Sequence, residues 1–228
     1  MPSILIINPN SSQSVTDGLK DILDPPHDFT FKFFTCPSDG PPSINDYTTG
    51  TLSAAACLPA LLPVLDQHDG FLVACFSDHA LVSILREHTD RPVLGIFQAA
   101  ILHSLSLNMS VGLPDTGKFA IVTTGSQWEP VLDAAVARYV PASSFVGTFG
   151  TGLGVLELHE AEKALVDDRI AQATLNALDK GASVICLGCA GMAGMEDVIS
   201  SVAPHVKVVD GVQAGCEILV GLVRTYYS

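Results

Sequence analysis

Ile4-Leu5-Ile6-Ile7-Asn8-Pro9-Asn10-Ser11 is an apolar run of strand length that stops abruptly at a turn. A strand apolar on both faces belongs inside a sheet covered on both sides, and Asn-Pro-Asn-Ser suits a turn leading into a helix. The pattern returns 115 residues later as Phe119-Ala120-Ile121-Val122-Thr123-Thr124-Gly125-Ser126. Val93-Leu94-Gly95-Ile96-Phe97-Gln98-Ala99 is matched at the same offset by Val208-Val209-Asp210-Gly211-Val212-Gln213-Ala214. Between these lie two further apolar runs, ending at Cys75 and Cys189, which are 114 residues apart in a chain of 228. A period of half the chain reads as a duplicated folding unit.

Outward from these anchors, strands are expected over residues 4–7, 29–34, 71–75, 93–96, 119–123, 144–147, 183–187 and 206–209. Helices are expected over 15–23, 51–65, 80–88, 98–109, 129–138, 158–180 and 213–226, with a short one after Gly191. Pro59 and Pro63 interrupt the second of these. Residues 36–47 read as a loop, and 148–154 as a glycine-rich loop. Alternating strands and helices predict an α/β protein with parallel sheets. The expected architecture is two pseudo-symmetric, doubly wound lobes sharing a cleft. One lobe comprises residues 1–97 plus the C-terminal helix, and the other residues 98–212.

Composition narrows the function. Hydrophobic residues make up 48% of the chain and charged residues 15%, and the formal net charge is −13. No Lys/Arg cluster offers a phosphate-tracking face, so nucleic acid is not an expected partner. An acidic chain also attracts anions poorly. No charged-then-apolar leader opens the sequence, and the longest apolar stretches, 52–65 and 181–195, are short and broken by proline or glycine, so no membrane is expected. Six cysteines without small-domain spacing read as reduced thiols, which points to the cytoplasm. On that reading the sequons at Asn10 and Asn108 are incidental. A homo-oligomer is expected.

Ligands of open parallel sheets bind beyond the carboxyl ends of the strands. Four such ends combine small and polar residues: Asn8-Pro9-Asn10-Ser11, Cys75-Phe76-Ser77-Asp78, Thr123-Thr124-Gly125-Ser126 and Cys189-Ala190-Gly191-Met192. A thiol at a helix N-terminus has a lowered pKa, and the N–H groups there can hold an enolate oxygen. Cys75 and Cys189 are therefore the candidate acid and base. Cys36, Cys57 and Cys216 read as small core residues, as does Cys186, one strand-step from the site. Cys186 and Cys189 form a C-x-x-C that straddles a strand end instead of opening a helix, and no second such pair or H-x-x-x-H supplies zinc ligands. Ser77-Asp78-His79 has triad residue types but no nucleophile elbow, and Asp78 reads as a helix cap. Gly150-Thr151-Gly152-Leu153-Gly154 lacks a Walker lysine. The seven histidines show no metal spacing.

Asn8-Pro9-Asn10-Ser11, Gly40-Pro41-Pro42-Ser43-Ile44, Cys75-Phe76-Ser77-Asp78, Leu187-Gly188-Cys189-Ala190-Gly191-Met192 and Val209-Asp210-Gly211-Val212 together resemble the hydantoin/allantoin racemase branch of the Asp/Glu racemase superfamily. The resemblance spans nearly the whole chain. It implies a cofactor-independent, metal-free two-base racemase whose catalytic pair maps onto Cys75 and Cys189. Asn10, Ile44, Phe76, Ser77, Thr123, Thr124, Ala190 and Gly191 fall where relatives contact a small ring substrate. One thiolate would take the C5 proton of a hydantoin or allantoin and the opposite thiol would return one to the other face. His79 stands where relatives often have proline, and Gln98 departs from a more usual glutamate.

These rings are neutral, which suits a site without an obvious Arg or Lys better than a dianionic amino acid, unless Lys118 or Arg91 lies near. The alternatives are another superfamily reaction (amino-acid racemase, maleate isomerase or decarboxylase) or a non-catalytic small-molecule binder. A decarboxylase of this fold needs only the second-lobe cysteine, and a binder needs neither.

Overall fold

Strand β1 (Ser3–Asn8) is buried along all six residues, as its two-sided apolar sequence requires. Helix α1 (Gln13–Ile22) follows and turns Thr16 and Leu19 inward. Strand β2 (Thr30–Thr35) is half-exposed, the mark of a sheet edge. Helix α2 (Tyr47–Leu61) opens with a capping box between Asp46 and Thr49. Then come β3 (Gly70–Val73), α3 (Ala80–Arg86), β4 (Val93–Gly95) and α4 (Ile96–Asn108). The second half repeats the scheme with β5 (Lys118–Thr123), α5 (Trp128–Val136), β6 (Phe145–Gly150), α6 (Glu157–Glu160), α7 (Lys163–Asp179), β7 (Ala182–Leu187), α8 (Glu196–Val202), β8 (Lys207–Asp210) and α9 (Gly211–Tyr226). The computed structural model describes residues 1–108, 117–155 and 157–226. Met109, the expected end of α4, lies outside the described residues.

All pairings are parallel, in two sheets with the orders β2-β1-β3-β4 and β6-β5-β7-β8. The expected α/β class with two doubly wound halves is therefore what the chain forms. β5 begins 115 residues after β1, β6 115 after β2, and α9 115 after α4. In each sheet the first strand has its successor on one side and the third strand on the other. The crevice at that reversal lies between β1 and β3, and between β5 and β7.

By contacts the chain divides into Met1–Ala99 with Val212–Ser228, and Ala100–Gly211. Each sheet is thus covered by the long helix that follows the other sheet's last strand. In the first unit α9 lies close on β3, since a Cβ on Gly215 would sit 2.5 Å from Leu72 Cδ1. In the second, Ser104 of α4 places its Oγ 2.9 Å from Cys186 Sγ on β7. The core under α2 and α3 joins Leu5, Ile7, Phe71 and Val73 to Cys57, Leu61, Leu81 and Leu85. Its counterpart joins Ala120, Val122, Ile185 and Leu187 to Val166, Ile170, Ala173 and Ile199.

Three local expectations need correction. The second helix begins at Tyr47 and continues as a 3-10 turn to Gln67, a 21-residue run containing an 18-residue stretch of mean hydropathy 1.5, which meets the length and composition of a bilayer span. Among the described residues it is the one helix that does. The prolines break it less than their number suggests. Pro59 would deny a bond to Ala55, and both are on the exposed side where water can serve that carbonyl, while Pro63 sits in the first turn of the 3-10 segment. Ser53, Ala54, Cys57, Leu61 and Leu65 of this run are packed inward. Secondly, the helix expected over 158–180 is two helices, because Glu162 turns extended and α7 restarts on its carbonyl. Thirdly, residues 148–150 of the expected glycine-rich loop belong to β6.

Candidate active site: two thiols at matched strand ends

In the first unit, β1 and β3 run side by side, with Ile7 opposite Val73. Their continuations therefore emerge together at one edge. Asn8 closes β1 with a fully buried amide. Its Nδ2 donates to Asn10 Oδ1 at 3.1 Å, to Ser12 O at 3.0 Å and to Thr16 Oγ1 at 3.0 Å, and its Oδ1 accepts from the Asn10 backbone N–H at 3.1 Å. Asn10 Oδ1 also accepts from Ser12 N–H at 3.0 Å. With that oxygen engaged twice inside the loop, the Asn10 NH2 is the group left to meet a ligand. Ser11 ties this loop to the next through Pro41 O and Gly40 O. Ile44, on that second loop, is buried.

Cys75 lies two residues beyond β3, half-buried, its Sγ 3.4 Å from Ser77 Oγ. The Ser77 N–H donates to Cys75 O, which folds the segment into a tight turn. Phe76 is buried and stacks edge-on against Phe97 at 5.6 Å, so its ring anchors the turn in the core. Asp78 accepts from Gln98 Nε2 at 3.0 Å. The helix cap is not Asp78, as the sequence had indicated, but His79, whose Nδ1 accepts from the Leu81 N–H. A buried imidazole can cap because its aromatic body packs while one nitrogen accepts.

In the second unit β5 and β7 are neighbours, with Val122 opposite Leu187. Thr123 is buried and its hydroxyl donates to Gly188 O at 2.7 Å. Thr124 is buried, and its carbonyl accepts from Gly152 N–H and Thr151 Oγ1. Gly188 permits this approach: a Cβ there would lie 2.6 Å from Ile121 Cγ2 and 2.8 Å from both Thr123 Cβ and Val122 O. Cys189 follows, half-buried and extended, and its Sγ accepts from the Gly191 N–H at 3.3 Å. Ala190 is half-buried beside it and Gly191 is buried.

The thiol's acidity runs against the expectation of a lowered pKa. Burial pushes the Cys189 thiol up to about 11, and the N–H groups of Gly191 and Met192 pull back only part of that. The reason is structural: Cys189 caps a three-residue 3-10 turn, too short to carry a helix field, and α3 opens only at Ala80. The two cations that sequence left open are remote from these edges within their own units. Lys118 opens β5 at its amino end, and Arg91, 3.8 Å from Asp69, precedes β4. The four edge segments contain no Lys or Arg.

The sequence profile of the Asp/Glu/hydantoin racemase family matches residues 4–219. The chain belongs to this family. It is 42% identical to an uncharacterized Schizosaccharomyces pombe protein over 98% of this chain and 93% of that one. It is 31% identical to the hydantoin racemase of Rhizobium meliloti over 99% of this chain and 90% of that protein. Its fold is similar to the allantoin racemase from Klebsiella pneumoniae, with a TM-score of 0.83, 26% identity, and coverage of 98% and 88% of the two chains. It is therefore an isomerase of the racemase type, in the hydantoin/allantoin branch.

The remaining thiols of this racemase are buried. Cys186 faces Ser104, and burial pushes it up to about 12. Cys36 and Cys57 share a hydrogen bond and are both raised, mainly by burial. The C-x-x-C thus divides between core and edge, and none of the six cysteines is in a disulfide. Among the described residues no group of three His, Cys, Asp or Glu could hold a metal ion. The glycine-rich segment does not offer a phosphate cradle, since the N–H groups of Thr148, Gly150 and Gly154 are taken by Asp133, Glu129 and Glu157. Sequence reading missed Asn8, whose signal was a lone amide closing an otherwise apolar strand. It also missed Ser53, a serine inside an apolar helix with no signal at all.

Proposed function

We propose that this racemase inverts C5 of allantoin or a 5-substituted hydantoin without a cofactor, using Cys75 and Cys189 as the acid–base pair. The observation that carries the reading is selective exposure. Of six cysteines only these two are not buried, and each follows the third strand of its own sheet. Edges without Lys or Arg favour a neutral ring over a dicarboxylate. The relatives named for hydantoin and allantoin support the same substrate class. Matched strand orders and the repeated offset of 115 support the further reading that the enzyme is one duplicated unit, residues 1–97 plus the C-terminal helix and residues 98–212.

In the proposed cycle the Cys75 thiolate takes the C5 proton and becomes a thiol. The electron pair released moves onto the adjacent carbonyl as an enolate. The Cys189 thiol gives its proton to the opposite face of C5 and becomes the thiolate. No electron or proton is gained overall. The raised pKa of Cys189 makes it the protonated partner at rest. Asn10 offers its NH2 to a ring carbonyl and Ala190 its backbone N–H, while the Ser77 hydroxyl donates to the Cys75 thiolate and leaves its oxygen to accept from a ring N–H. Gly191, its own N–H held by Cys189 Sγ, lines the wall with Ile44, Phe76, Thr123 and Thr124.

Proton NMR in D2O with polarimetry, on single-enantiomer allantoin and a 5-alkyl hydantoin with EDTA present, tests this directly. Loss of rotation with deuterium entering at C5 is the expected result and ranks the two substrates. No change above the uncatalysed drift would overturn the substrate assignment.

A further inference from the structure

His79 is 4% exposed and carries no ion pair, and both of its ring nitrogens are engaged within the first unit. Nδ1 accepts from the Leu81 backbone N–H at 3.2 Å, a bond whose donor is fixed, so Nδ1 is unprotonated. Nε2 lies 3.4 Å from Ser53 Oγ. Ser53 Oγ is also 2.5 Å from Pro9 O, an atom that can only accept, so the hydroxyl proton points to Pro9. Ser53 must then accept from His79, which fixes the neutral Nε2–H tautomer from both ends. The result is a one-way chain: Leu81 N–H to His79, His79 to Ser53, Ser53 to the Pro9 carbonyl. Cys57, one turn along α2 from Ser53, adds a weaker contact to the same carbonyl at 3.7 Å.

This chain joins two loops that the sheet alone does not bond to each other. His79 closes the Cys75 turn, and Pro9 is the residue before Asn10. All three side-chain members are buried, so the bonds are made in low dielectric and exclude water. A buried neutral imidazole with both nitrogens occupied is not a base for the substrate. We infer that His79 is a positioning residue which, through Ser53 and the Pro9 carbonyl, sets the placement of Asn10 relative to Cys75. The inference rests on the reading that Asn10 meets the ring.

Two substitutions separate the halves of the chain. In His79→Asn the side-chain oxygen replaces Nδ1 and keeps the cap on α3, but is too short to reach Ser53. In His79→Gln the amide nitrogen replaces Nε2 and keeps the bond to Ser53. Losing the relay should raise KM about three- to tenfold in His79→Asn, with kcat falling less than KM rises, the size of one buried hydrogen bond. His79→Gln should restore most of that loss. Ser53→Ala should match His79→Asn, and the double variant should be no worse than either single one, because one chain is broken once.

The second arm needs no activity. With ¹⁵N-labelled protein, the wild type should show the Nε2–H tautomer for His79. The Asn10 side-chain NH2 signals should move in His79→Asn and Ser53→Ala and return in His79→Gln. Unmoved Asn10 signals in Ser53→Ala, or a wild-type KM in His79→Asn, would reduce His79 to a helix cap and overturn the inference. An inactive wild type on both ring substrates would instead sink the proposed function, and the NMR arm alone would decide the relay.

Discussion

The two thiol edges are built on one plan and held by different chemistry. At Cys189 the backbone does the work: Gly188 packs where no side chain fits, Thr123 clamps its carbonyl, and the sulfur accepts backbone N–H groups. At Cys75 side chains do it. Ser77 faces the sulfur, Phe76 anchors the turn, and His79 caps the following helix. The counterpart of Gly188 is Ala74, a buried residue that already carries a Cβ. The difference teaches that a duplicated topology fixes where a thiol stands, while the local supports can diverge and set its acidity.

The largest expected effect tests whether the edges are equal partners. Cys75→Ser and Cys189→Ser should each lower racemisation by roughly 10³-fold, within the range for losing a general acid or base. Each variant should still exchange the C5 proton of one enantiomer, and of opposite enantiomers, as read by deuterium incorporation. Equal exchange of both enantiomers by either variant would break the two-base comparison.

Next in size is the pH response of the Cys75 edge. Burial holds His79 at about 4, against 6.5 when unperturbed. The unfolded chain takes up that proton below pH 6.5 and the folded one refuses it until about 4, so stability is full above 6.5 and declines as pH falls toward 4. The gap corresponds to roughly 3 kcal/mol. Urea melts of wild type and His79→Gln from pH 7.5 to 4 should show the variant losing less stability over that window. Parallel curves would mean that His79 is not held neutral.

Gly188→Ala should destabilise the enzyme by roughly 2 kcal/mol through overpacking, lowering Tm by several degrees. Ala74→Gly should cost about 1–2 kcal/mol by a different route, the loss of a buried methyl together with added backbone freedom. A Gly188→Ala variant as stable as wild type would erase the distinction between a backbone-built and a side-chain-built edge.

The smallest expected effect concerns thiol reactivity. With Cys189 raised to about 11, its alkylation by iodoacetamide should rise about tenfold per pH unit from 7 to 10, followed by peptide mass mapping. A plateau by pH 8 would show that the N–H groups of Gly191 and Met192 outweigh burial.

Strands were legible because a two-sided apolar run has few other fates. Residues 4–7 and 119–123 fall inside β1 and β5. Helix ends were less legible. Asp78 has the better capping chemistry on paper, but it is bonded to Gln98 and the cap passes to His79. The thiol pKa could not be read either, since a helix start after Cys189 was assumed and only a three-residue turn formed.

The sequence by itself determined the α/β class, the repeated succession of strands and helices and the positions of the two strand-end cysteines. Those features rest on period and side-chain type, which are local and redundant. Tertiary structure alone decided which groups Asn8, Ser53 and His79 bond, and how far burial raises Cys189. Each depends on atoms from segments distant in the chain meeting within about 3 Å, a scale on which hydrogen bonds act and sequence periodicity carries no information.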